Sequence, residues 1–451
     1  MNLPRPDPLI GPVPPPGWQA PASEPAGQGS DRLGGFLFER KSVMKTRTRS
    51  ILLCALVGFL ATGAPTESPG CTDFRIKAAD GTVIIGRTMD FEVPALSFVR
   101  IFPRGERWSS DAPGMRKGMS WTSRYGYVAI DMGGRLVDPL DRAENLADGL
   151  NEEGLSFGWL SMPDFTAYQD QAAAAEPEKA IAYLDLCPWV LGNFATVDEV
   201  KAAFAGVHVW GKPIGPMNLI LPLHASVHDA SGRSIVLEFT KEGPKVHENV
   251  PGVLTNAPPF DWHETNLRNF VNLKAMSAGP IRAGASVFSP MGSGSGLLGI
   301  PGDWTPPSRF VRITAMKYFA SRPQGAEGGV ILAEHLLGSV TLPRGLEVVQ
   351  DESSARHNFT RWSAIKDLRN RVLYFRGYDS HTFRAIRLPE LDLRPDAKRL
   401  WGSVSGRTPA SCTRRRMPRS TGSCCPSSWN TPRGTSSRRR TSWASRARPC
   451  A

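Results

Sequence analysis

Cys71 is the residue that most constrains this chain, because it separates an export-type segment from the start of a β-hairpin. The residues CTDFRI at 71–76, a turn at Asp80-Gly81 and the run TVIIGRTMD at 82–90 form a pattern that predicts this hairpin. If the chain is cut before Cys71, the cysteine carries a free α-amine beside its thiol. Nucleophile and base then belong to one residue, which predicts nucleophilic catalysis from the N-terminus of a mature chain.

Residues 44–64 have the features of a secretory signal peptide. A basic run with Lys45, Arg47 and Arg49 precedes an apolar stretch at 51–60, and small residues follow it. The apolar stretch is too short to span a bilayer, so no stable membrane span is expected. We therefore expect a secreted or periplasmic bacterial protein.

Two cleavages are needed to expose Cys71. Pro65 disfavours a cut directly before it, so we expect signal peptidase to cut after Gly63 and leave residues 64–70 ahead of the cysteine. A second, self-catalysed cleavage between Gly70 and Cys71 is therefore a hypothesis. A lipoprotein cysteine is the alternative, but the four residues before Cys71 lack the apolar side chains that such a site needs.

Both ends of the chain lie outside the predicted domain at residues 71–396. Residues 1–43 are rich in Pro and Gly and precede a second start at Met44, which indicates a disordered leader or a start-site error. Residues 397–451 hold 13 Lys and Arg but no Asp or Glu, which predicts a translated frameshift or, less favoured, a disordered basic tail. Because the whole chain carries +12, residues 1–396 sum to −1, and this body gives no reason to expect a nucleic-acid partner.

Cysteine and histidine usage argues against disulfides and metals, and the glycine pattern argues against a dinucleotide cofactor. Cys71 and Cys187 are the cysteines of the predicted domain, and Cys187 lies in an apolar stretch where a buried thiol is expected. The close pair His224 and His228 has no clustered acidic or cysteine ligands, so no metal is expected. The run GSGLLG at 294–299 is followed by Pro-Gly where a dinucleotide-binding helix should begin, so no cofactor is expected either.

Strand patterns dominate both ends of the domain, and helical patterns fall between them. Strands are predicted at 71–76, 82–90, 125–130, 218–227, 234–239, 360–366, 371–376 and 382–387, with a turn at 148–155. Helices are predicted at 178–193, from a capping box at 196–199 to about 204, at 264–276, at 308–320 and at 329–337. This order predicts an α+β fold of stacked antiparallel sheets covered by helices.

Four ordered segments make the pattern specific. They are GRTMD at 86–90, DGLNEEGL at 148–155, VLTNAPPFDWH at 253–263 and LGIPGDWTPPSRF at 298–310. In these segments the chain resembles the choloylglycine hydrolase family, which comprises bile salt hydrolases and penicillin V acylases, over residues 71–393. The resemblance implies a four-layer αββα sandwich of the N-terminal-nucleophile hydrolases. It also implies a homo-oligomer, because homotetramers are common among the relatives.

By motif position, the resemblance implies that Cys71 is the nucleophile and that Arg87, Asp90, Asn256 and Arg309 surround it. A thiol pKa of about 8.5 lies close to an α-amine pKa of about 8, so the amine can take the thiol proton. Arg87 and Arg309 beside the sulfur would favour the thiolate. Asn256 is expected to donate to the tetrahedral oxyanion.

Asp90 is expected to accept a hydrogen bond from the α-amine of Cys71. Asp90 follows Arg87 by three residues, so strict strand alternation would place the two side chains on opposite faces. If both reach Cys71, a bend near Met89 is required. Met89 and Trp159 are the predicted substrate-binding residues.

One residue departs from the family pattern and shifts the predicted substrate away from bile salts. Ser161 stands where bile salt hydrolases usually carry Asn, and its backbone N–H is the remaining oxyanion candidate. The preferred prediction is a penicillin V acylase-like amidase that acts on small linear amides, N-acyl homoserine lactones included, through a thioester. The alternatives are a bile salt hydrolase, a papain-like hydrolase with His263 as base, and a catalytically dead secreted binding protein.

Overall fold

The computed structural model describes residues 70–91, 97–133, 145–215, 218–351, 354–397 and 400–404. The predicted leader and signal peptide, and most of the predicted basic tail, lie outside these described residues. No helix within the described ranges is both long and apolar enough to cross a membrane.

Short strands make up most of the regular structure. The strands, in chain order, are β1 Cys71–Lys77, β2 Val83–Asp90, β3 Phe98–Phe102, β4 Arg107–Ala112, β5 Arg116–Thr122, β6 Tyr127–Asp131, β7 Leu146–Asn151, β8 Ser156–Ser161, β9 Ala180–Ala182, β10 His208–Trp210, β11 Leu223–His228, β12 Ser234–Thr240, β13 Gly243–Glu248, β14 Val253–Leu254, β15 Ile281–Ala283, β16 Ser286–Phe288, β17 Glu347–Asp351, β18 Ser354–Asn358, β19 Thr360–Asp367, β20 Val372–Gly377, β21 Arg384–Arg387 and β22 Leu400–Ser403. The α-helices are α1 Asp170–Ala175, α2 Leu186–Asn193, α3 Val197–Phe204, α4 Phe260–Asn266, α5 Pro306–Phe319 and α6 Ala326–Val340.

Two antiparallel sheets form the centre of the fold. The six-stranded sheet has the order β14-β1-β2-β19-β20-β21, and the eight-stranded sheet has the order β13-β12-β11-β8-β7-β6-β3-β22. The first predicted hairpin is the β1–β2 pair, in which Cys71 lies opposite Met89. Strand alternation then sends the side chains of Cys71, Asp73 and Arg87 to one face of the six-stranded sheet and those of Thr72 and Asp90 to the other.

Helices cover the outer face of each sheet. Helix α6 packs closely on β2, since a Cβ added to Gly329 would lie 2.7 Å from Ile84 Cγ1. On the opposite side Phe204 of α3 contacts Phe239 of β12, with ring centroids 6.0 Å apart. Fully burying a large apolar side chain of this kind contributes about 1.5–3 kcal/mol. The predicted α+β, four-layer αββα sandwich is confirmed.

Two predicted helices have different bounds. The segment predicted as a helix at 178–193 contains a 3-10 turn, β9, a second 3-10 turn and then α2. Pro188 explains the late start of α2, because proline fits the first helical turn but would clash with the carbonyl of residue 184 inside a longer helix. The helix predicted at 264–276 is α4, which begins after Pro259 and passes into a 3-10 turn at Leu267–Phe270.

The fold also continues past the predicted domain end at residue 396. Strand β22 pairs with β3, and the next residue, Val404, is buried and donates its N–H to Ser97 O at 2.9 Å. The predicted boundary excludes this strand because the basic composition of residues 397–451 outweighs one short apolar pattern.

Candidate functional site

Cys71 begins β1, which lies between β14 and β2 in the six-stranded sheet, and is 3% exposed. Its backbone N–H donates to Asn256 Oδ1 at 2.6 Å, and its Sγ lies 3.7 Å from Met89 Sδ. The chain runs through Gly70 into Cys71, so the structure describes the uncleaved state, in which the nitrogen of Cys71 is an amide. The thiol and the backbone nitrogen are therefore held by side chains from two different segments.

Arg309 connects the start of α5 to this cysteine. Its guanidinium Nη1 donates to Cys71 O and, at 2.7 Å, to Thr72 Oγ1, while Nη2 donates to Asn256 Oδ1 at 2.9 Å. The remaining nitrogen, Nε, donates to Trp304 O at 2.7 Å. Every nitrogen of this buried cation has an acceptor, so the guanidinium has one defined orientation. The sequence prediction that Arg309 lies beside Cys71 matches this placement.

Asn256 is the shared acceptor of the site. Its Oδ1 accepts from both Cys71 N and Arg309, and its Nδ2 donates to Ser161 O at 2.9 Å. In the uncleaved chain Asn256 accepts from the amide nitrogen of Cys71, and the expectation that Asp90 accepts from the free α-amine stays a prediction. One N–H of the Asn256 amide is bound to Ser161, and the second remains for another acceptor.

Asp90 lies on the helix-facing side of β2, 1% exposed and bound by two hydroxyls. Its Oδ1 accepts from Thr360 Oγ1 at 2.6 Å, and its Oδ2 accepts from Thr88 Oγ1 at 3.3 Å. A Cβ added to Gly70 would lie 3.5 Å from Asp90 Oδ2, so this carboxyl group borders the Gly70–Cys71 junction. Burial raises the pKa of Asp90 to about 7, although Arg309 and the Thr360 hydrogen bond act in the opposite direction.

The predicted bend near Met89 is replaced by an irregularity in the neighbouring strand. β2 stays regular through Asp90, so Arg87 and Asp90 lie on opposite faces, as alternation requires. The register between β19 and β2 shifts between Thr360 and Trp362, and this bulge brings Thr360 opposite Asp90. Asp90 therefore approaches the site from the helix side while Arg87 approaches from between the sheets.

Arg87 is fully buried between the two sheets. Its Nη2 donates to Trp159 O and lies 4.0 Å from Met89 Sδ, and its Nη1 lies 3.8 Å from Asp148 Oδ1. Lys366 donates to the same Asp148 oxygen, so one carboxylate lies between two cations. Met89 thus separates the Arg87 guanidinium from the Cys71 sulfur.

The protonation of the thiol differs from the expectation. Burial raises the pKa of the Cys71 thiol, and Arg87 and Arg309 lower it by less than burial raises it. In the uncleaved state the arginines therefore do not hold a thiolate. A proton acceptor close to the sulfur is needed, and the α-amine that cleavage would create is such a group.

Trp159 is corrected from a substrate-binding residue to a core residue. Its ring is 1% exposed and makes an edge contact with Phe157, with centroids 5.1 Å apart, on the face of the eight-stranded sheet that is turned away from Cys71. Alternation along β8 explains this, because Gly158 and Leu160 face the other sheet. The carbonyl oxygen of Trp159, and not its ring, reaches Arg87.

Ser161 and Cys187 lie where the sequence argument placed them. Ser161 ends β8 next to Asn256, and its carbonyl accepts the Asn256 amide hydrogen bond. The oxyanion role of its backbone N–H stays a prediction. Cys187 is a free thiol, fully buried in α2.

His263, the base of the papain-like alternative, is engaged elsewhere. Its Nε2 donates to Asn256 O at 2.9 Å, and its ring stacks on Phe310 at 4.7 Å. Burial lowers the pKa of His263 to about 4. A histidine whose proton is donated to a carbonyl and whose pKa is this low is a poor base for the thiol of Cys71.

Several residues around the site were not predicted as site residues. Asp148 and Thr88 lie in two of the family motifs but had no predicted role, and no sequence signal marked Thr360 or Lys366, which are distant in the chain. Gly158 had a signal in hindsight, because a glycine inside a strand often marks a close approach. A Cβ there would lie 2.3 Å from Arg87 Nη1. In the described part of the chain, no group of three or more His, Cys, Asp or Glu residues is arranged to hold a metal ion.

Comparison with known proteins agrees with this geometry. Residues 71–402 match the family described as linear amide C–N hydrolases, choloylglycine hydrolase family. The bile salt hydrolase/transferase of Clostridium perfringens is 30% identical over 316 residues, which cover 70% of this chain and 92% of that protein. The penicillin V acylase of Pectobacterium atrosepticum is 30% identical over 189 residues, or 40% of this chain and 47% of that one.

Solved structures show the same fold. A crystal structure of a conjugated bile acid hydrolase variant from Clostridium perfringens has a TM-score of 0.64 at 28% identity and covers 74% of this chain and 97% of its own. Penicillin V acylase from Agrobacterium tumefaciens has a TM-score of 0.56 at 22% identity, and that likeness concerns the fold alone.

Proposed function

Since this chain belongs to the choloylglycine hydrolase family of linear amide C–N hydrolases, we propose that it cleaves small linear amides with the thiol of Cys71, in the manner of a penicillin V acylase. One observation carries the proposal. Cys71 is the first residue of β1, and Asn256 and Arg309 hold its backbone nitrogen and carbonyl on either side of the thiol.

Maturation is the first proposed step. After removal of the signal peptide in export to the periplasm or exterior, Cys71 Sγ attacks the Gly70 carbonyl carbon. The S–C bond forms, the C–N bond breaks, and water then hydrolyses the thioester, which leaves a free α-amine on Cys71. The position of Gly70 supports this step, because a Cβ at this residue would lie 3.0 Å from Arg309 Nη2 and 3.5 Å from Asp90 Oδ2.

Substrate cleavage repeats the same chemistry in trans. The α-amine takes the thiol proton, Sγ attacks the substrate carbonyl, and the second N–H of Asn256 and the Ser161 backbone N–H donate to the oxyanion. The proton then passes to the leaving amine, and a thioester remains on Cys71. Water attacks this thioester and releases the acid and the thiol.

The charged residues have separate roles in this proposal. Asp90 accepts from the new α-amine and keeps it beside the sulfur. Arg309 fixes Asn256 and the Cys71 carbonyl, and Arg87 supplies positive charge from between the sheets, with Met89 packed between it and the sulfur. No cofactor enters any of these steps.

An apolar acyl group is the proposed substrate feature. Phe165, Leu219 and Ile220 are each at least 38% exposed, in the loops that follow β8 and precede β11, where Ser161 pairs with Leu223. Ser161, which stands where bile salt hydrolases usually carry Asn, favours penicillin V or N-acyl homoserine lactones over bile salts as substrates. Hydrolysis of conjugated bile salts is the second candidate, because the match to a bile salt hydrolase covers 92% of that protein.

A parallel substrate panel tests the function. The purified mature protein and a Cys71→Ala variant are incubated with penicillin V, N-acyl homoserine lactones, and glycine- and taurine-conjugated bile acids, and the released amine is quantified. We expect steady turnover of at least one amide by the wild type and none by Cys71→Ala. Equal turnover by both proteins would contradict Cys71 as the nucleophile, and no release from any substrate would leave the dead binding protein as the better description.

We also propose that the mature protein is a homo-oligomer. Support comes from the segment at residues 271–300, which contains the β15–β16 hairpin, two cations and no acidic residue, and exposes Ile281, Val287 and Phe288. A short hairpin with no apolar face buried against its own chain is marginal in water, so a second copy is the proposed cover. Light scattering that gives the monomer mass for the wild type would contradict this, and Phe288→Lys is expected to shift an oligomer to smaller species.

A further inference from the structure

The segment that carries Asn256 has little regular structure of its own. It comprises the two-residue strand β14 and an irregular stretch that leads to α4 at Phe260. Its backbone is held by three buried side chains. His224 Nε2 donates to Thr255 O at 2.9 Å, His263 Nε2 donates to Asn256 O at 2.9 Å, and Phe260 N donates to Glu238 Oε1 at 2.9 Å.

The two strands behind this segment supply a charged pair. His224 on β11 and Glu238 on β12 are both fully buried, and His224 Nδ1 lies 3.1 Å from Glu238 Oε1. The other carboxylate oxygen, Oε2, lies 3.3 Å from Nε2 of His247. Burial raises the pKa of Glu238, but the hydrogen bond with His224 and the nearby His247 ring outweigh it, and the pKa falls to about 2.

Hydrogen-bond geometry limits the protonation states of His224. A carbonyl oxygen only accepts, so the Nε2 atom that faces Thr255 O carries a proton. When Glu238 is ionised, its carboxylate also only accepts, and the Nδ1 atom that faces it then carries a proton as well. Two protonated ring nitrogens would make His224 an imidazolium cation beside a carboxylate, with no solvent contact.

We propose that the buried Glu238–His224 ion pair positions Asn256, by holding Thr255 on one side of it and Phe260 on the other. This inference rests on the proposed function, since Asn256 is there the oxyanion donor and the partner of Cys71. Both residues act through the backbone of the segment and touch neither substrate nor sulfur, so they are positioning residues. A misplaced donor at an acyl-transfer site lowers kcat more than it changes KM, because the oxyanion exists only in the transition state.

The charge state is tested without any turnover. The Cys71→Ala protein is labelled with ¹⁵N-histidine, and its ring nitrogens are recorded by NMR at pH 7.5, with His224→Gln used to assign the resonance. We expect His224 to show two protonated nitrogens, and Glu238→Gln to abolish that signature. One protonated and one unprotonated nitrogen at His224 in the parent protein would overturn the ion pair, whatever the enzyme's activity.

The positioning role is tested by kinetics on the best substrate of the panel. Glu238→Gln is expected to lower kcat by about ten- to a hundredfold with KM changed less than about threefold, as expected for a displaced oxyanion donor. His247→Gln is the matched control, since it removes a partner of the same carboxylate that makes no backbone hydrogen bond to the Asn256 segment, and it should keep kcat within about twofold.

If Glu238→Gln does not fold, His224→Gln replaces it, because glutamine can still donate to Thr255 O but forms no ion pair. A folded variant of either kind with wild-type kcat and KM would overturn the positioning role. Equal losses in His247→Gln and Glu238→Gln would overturn it too, because they would indicate a general packing effect.

Discussion

At the scale of single residues, the site consists of side chains that the fold brings together from distant parts of the chain. Cys71, Asn256 and Arg309 meet, as their motif positions implied, although up to 238 residues separate them in the chain. That Asn256 accepts from the Cys71 amide in the uncleaved chain was not predicted, and Asp90 as the acceptor for the free α-amine stays a prediction. A motif determines which residue types are present. Which atoms form hydrogen bonds also depends on how deeply each side chain is buried, on its rotamer and, for Asp90, on the two hydroxyls that bind it, and no local sequence pattern encodes these.

Thr360 gives the sharpest residue-level prediction, because its hydroxyl binds the carboxyl group of Asp90. The hydrogen bond stabilises the ionised carboxylate and so lowers a pKa that burial raises to about 7. In Thr360→Val this pKa should rise further, so the acidic limb of the kcat/KM profile should move to higher pH. Thr360→Ser keeps the hydroxyl and should restore the wild-type profile. An unchanged limb in Thr360→Val would show that Asp90 ionisation does not govern turnover.

Gly70 should be required for maturation. A Cβ at this position would lie 3.0 Å from Arg309 Nη2. The Arg309 side chain cannot easily move away, because its nitrogens donate hydrogen bonds to four acceptors. We expect Gly70→Ala to slow the Gly70–Cys71 cleavage and Gly70→Val to slow it further, as followed by the mass of the chain over time. Wild-type processing of Gly70→Val would refute this steric account.

At the scale of elements, alternation along strands decided most assignments, and prolines decided the helix bounds. The alternation rule correctly separated Arg87 from Asp90, but the irregularity that accommodates Asp90 lies in β19 at Thr360, a strand far along the chain. Such pairings are not visible in a local sequence. The same rule, applied to β8, would have placed Trp159 in the outer core and Gly158 opposite Arg87.

Gly158 should be intolerant of a side chain because β8 and β2 approach each other there. A Cβ would lie 2.3 Å from Arg87 Nη1 and 3.2 Å from Asp148 Oδ1, so Gly158→Ala must displace the buried guanidinium. We expect a loss of about 1–3 kcal/mol in the free energy of unfolding and a clear drop in kcat/KM. Chemical denaturation and kinetics measure both, and Gly206→Ala is the control because a Cβ there would make only an ordinary contact, 3.5 Å from Ala203 O. Equal behaviour of the two variants would contradict the close approach.

At the scale of the whole molecule, the strand–helix–strand order was enough to predict stacked antiparallel sheets covered by helices, and the family resemblance implied the four-layer sandwich. Neither predicted the pairing order of the strands. The chain closes its second sheet with β22, which pairs with β3 about 300 residues earlier in the sequence. Long-range closure of this kind depends on the completed sheet, so a composition-based boundary at residue 396 missed it.

Two truncations test how far the domain extends. Ending the chain after Asp396 removes β22 and the buried Val404, and it should lower the free energy of unfolding by about 2 kcal/mol or more, given the burial of one such apolar side chain. Ending it after Val404 removes only the basic residues that follow and should leave the melting temperature and activity unchanged. Equal melting temperatures for the two truncated proteins would show that β22 adds nothing to the fold.

The central claim is that Cys71 is an N-terminal nucleophile, and the intact mass of the purified secreted protein tests it most directly. The account predicts a wild-type mass that begins at Cys71, and a Cys71→Ala protein that keeps the residues between the signal cleavage site and Gly70. A wild-type chain that retains those residues while it hydrolyses amides would contradict the account, because Cys71 would then have no α-amine to take its proton.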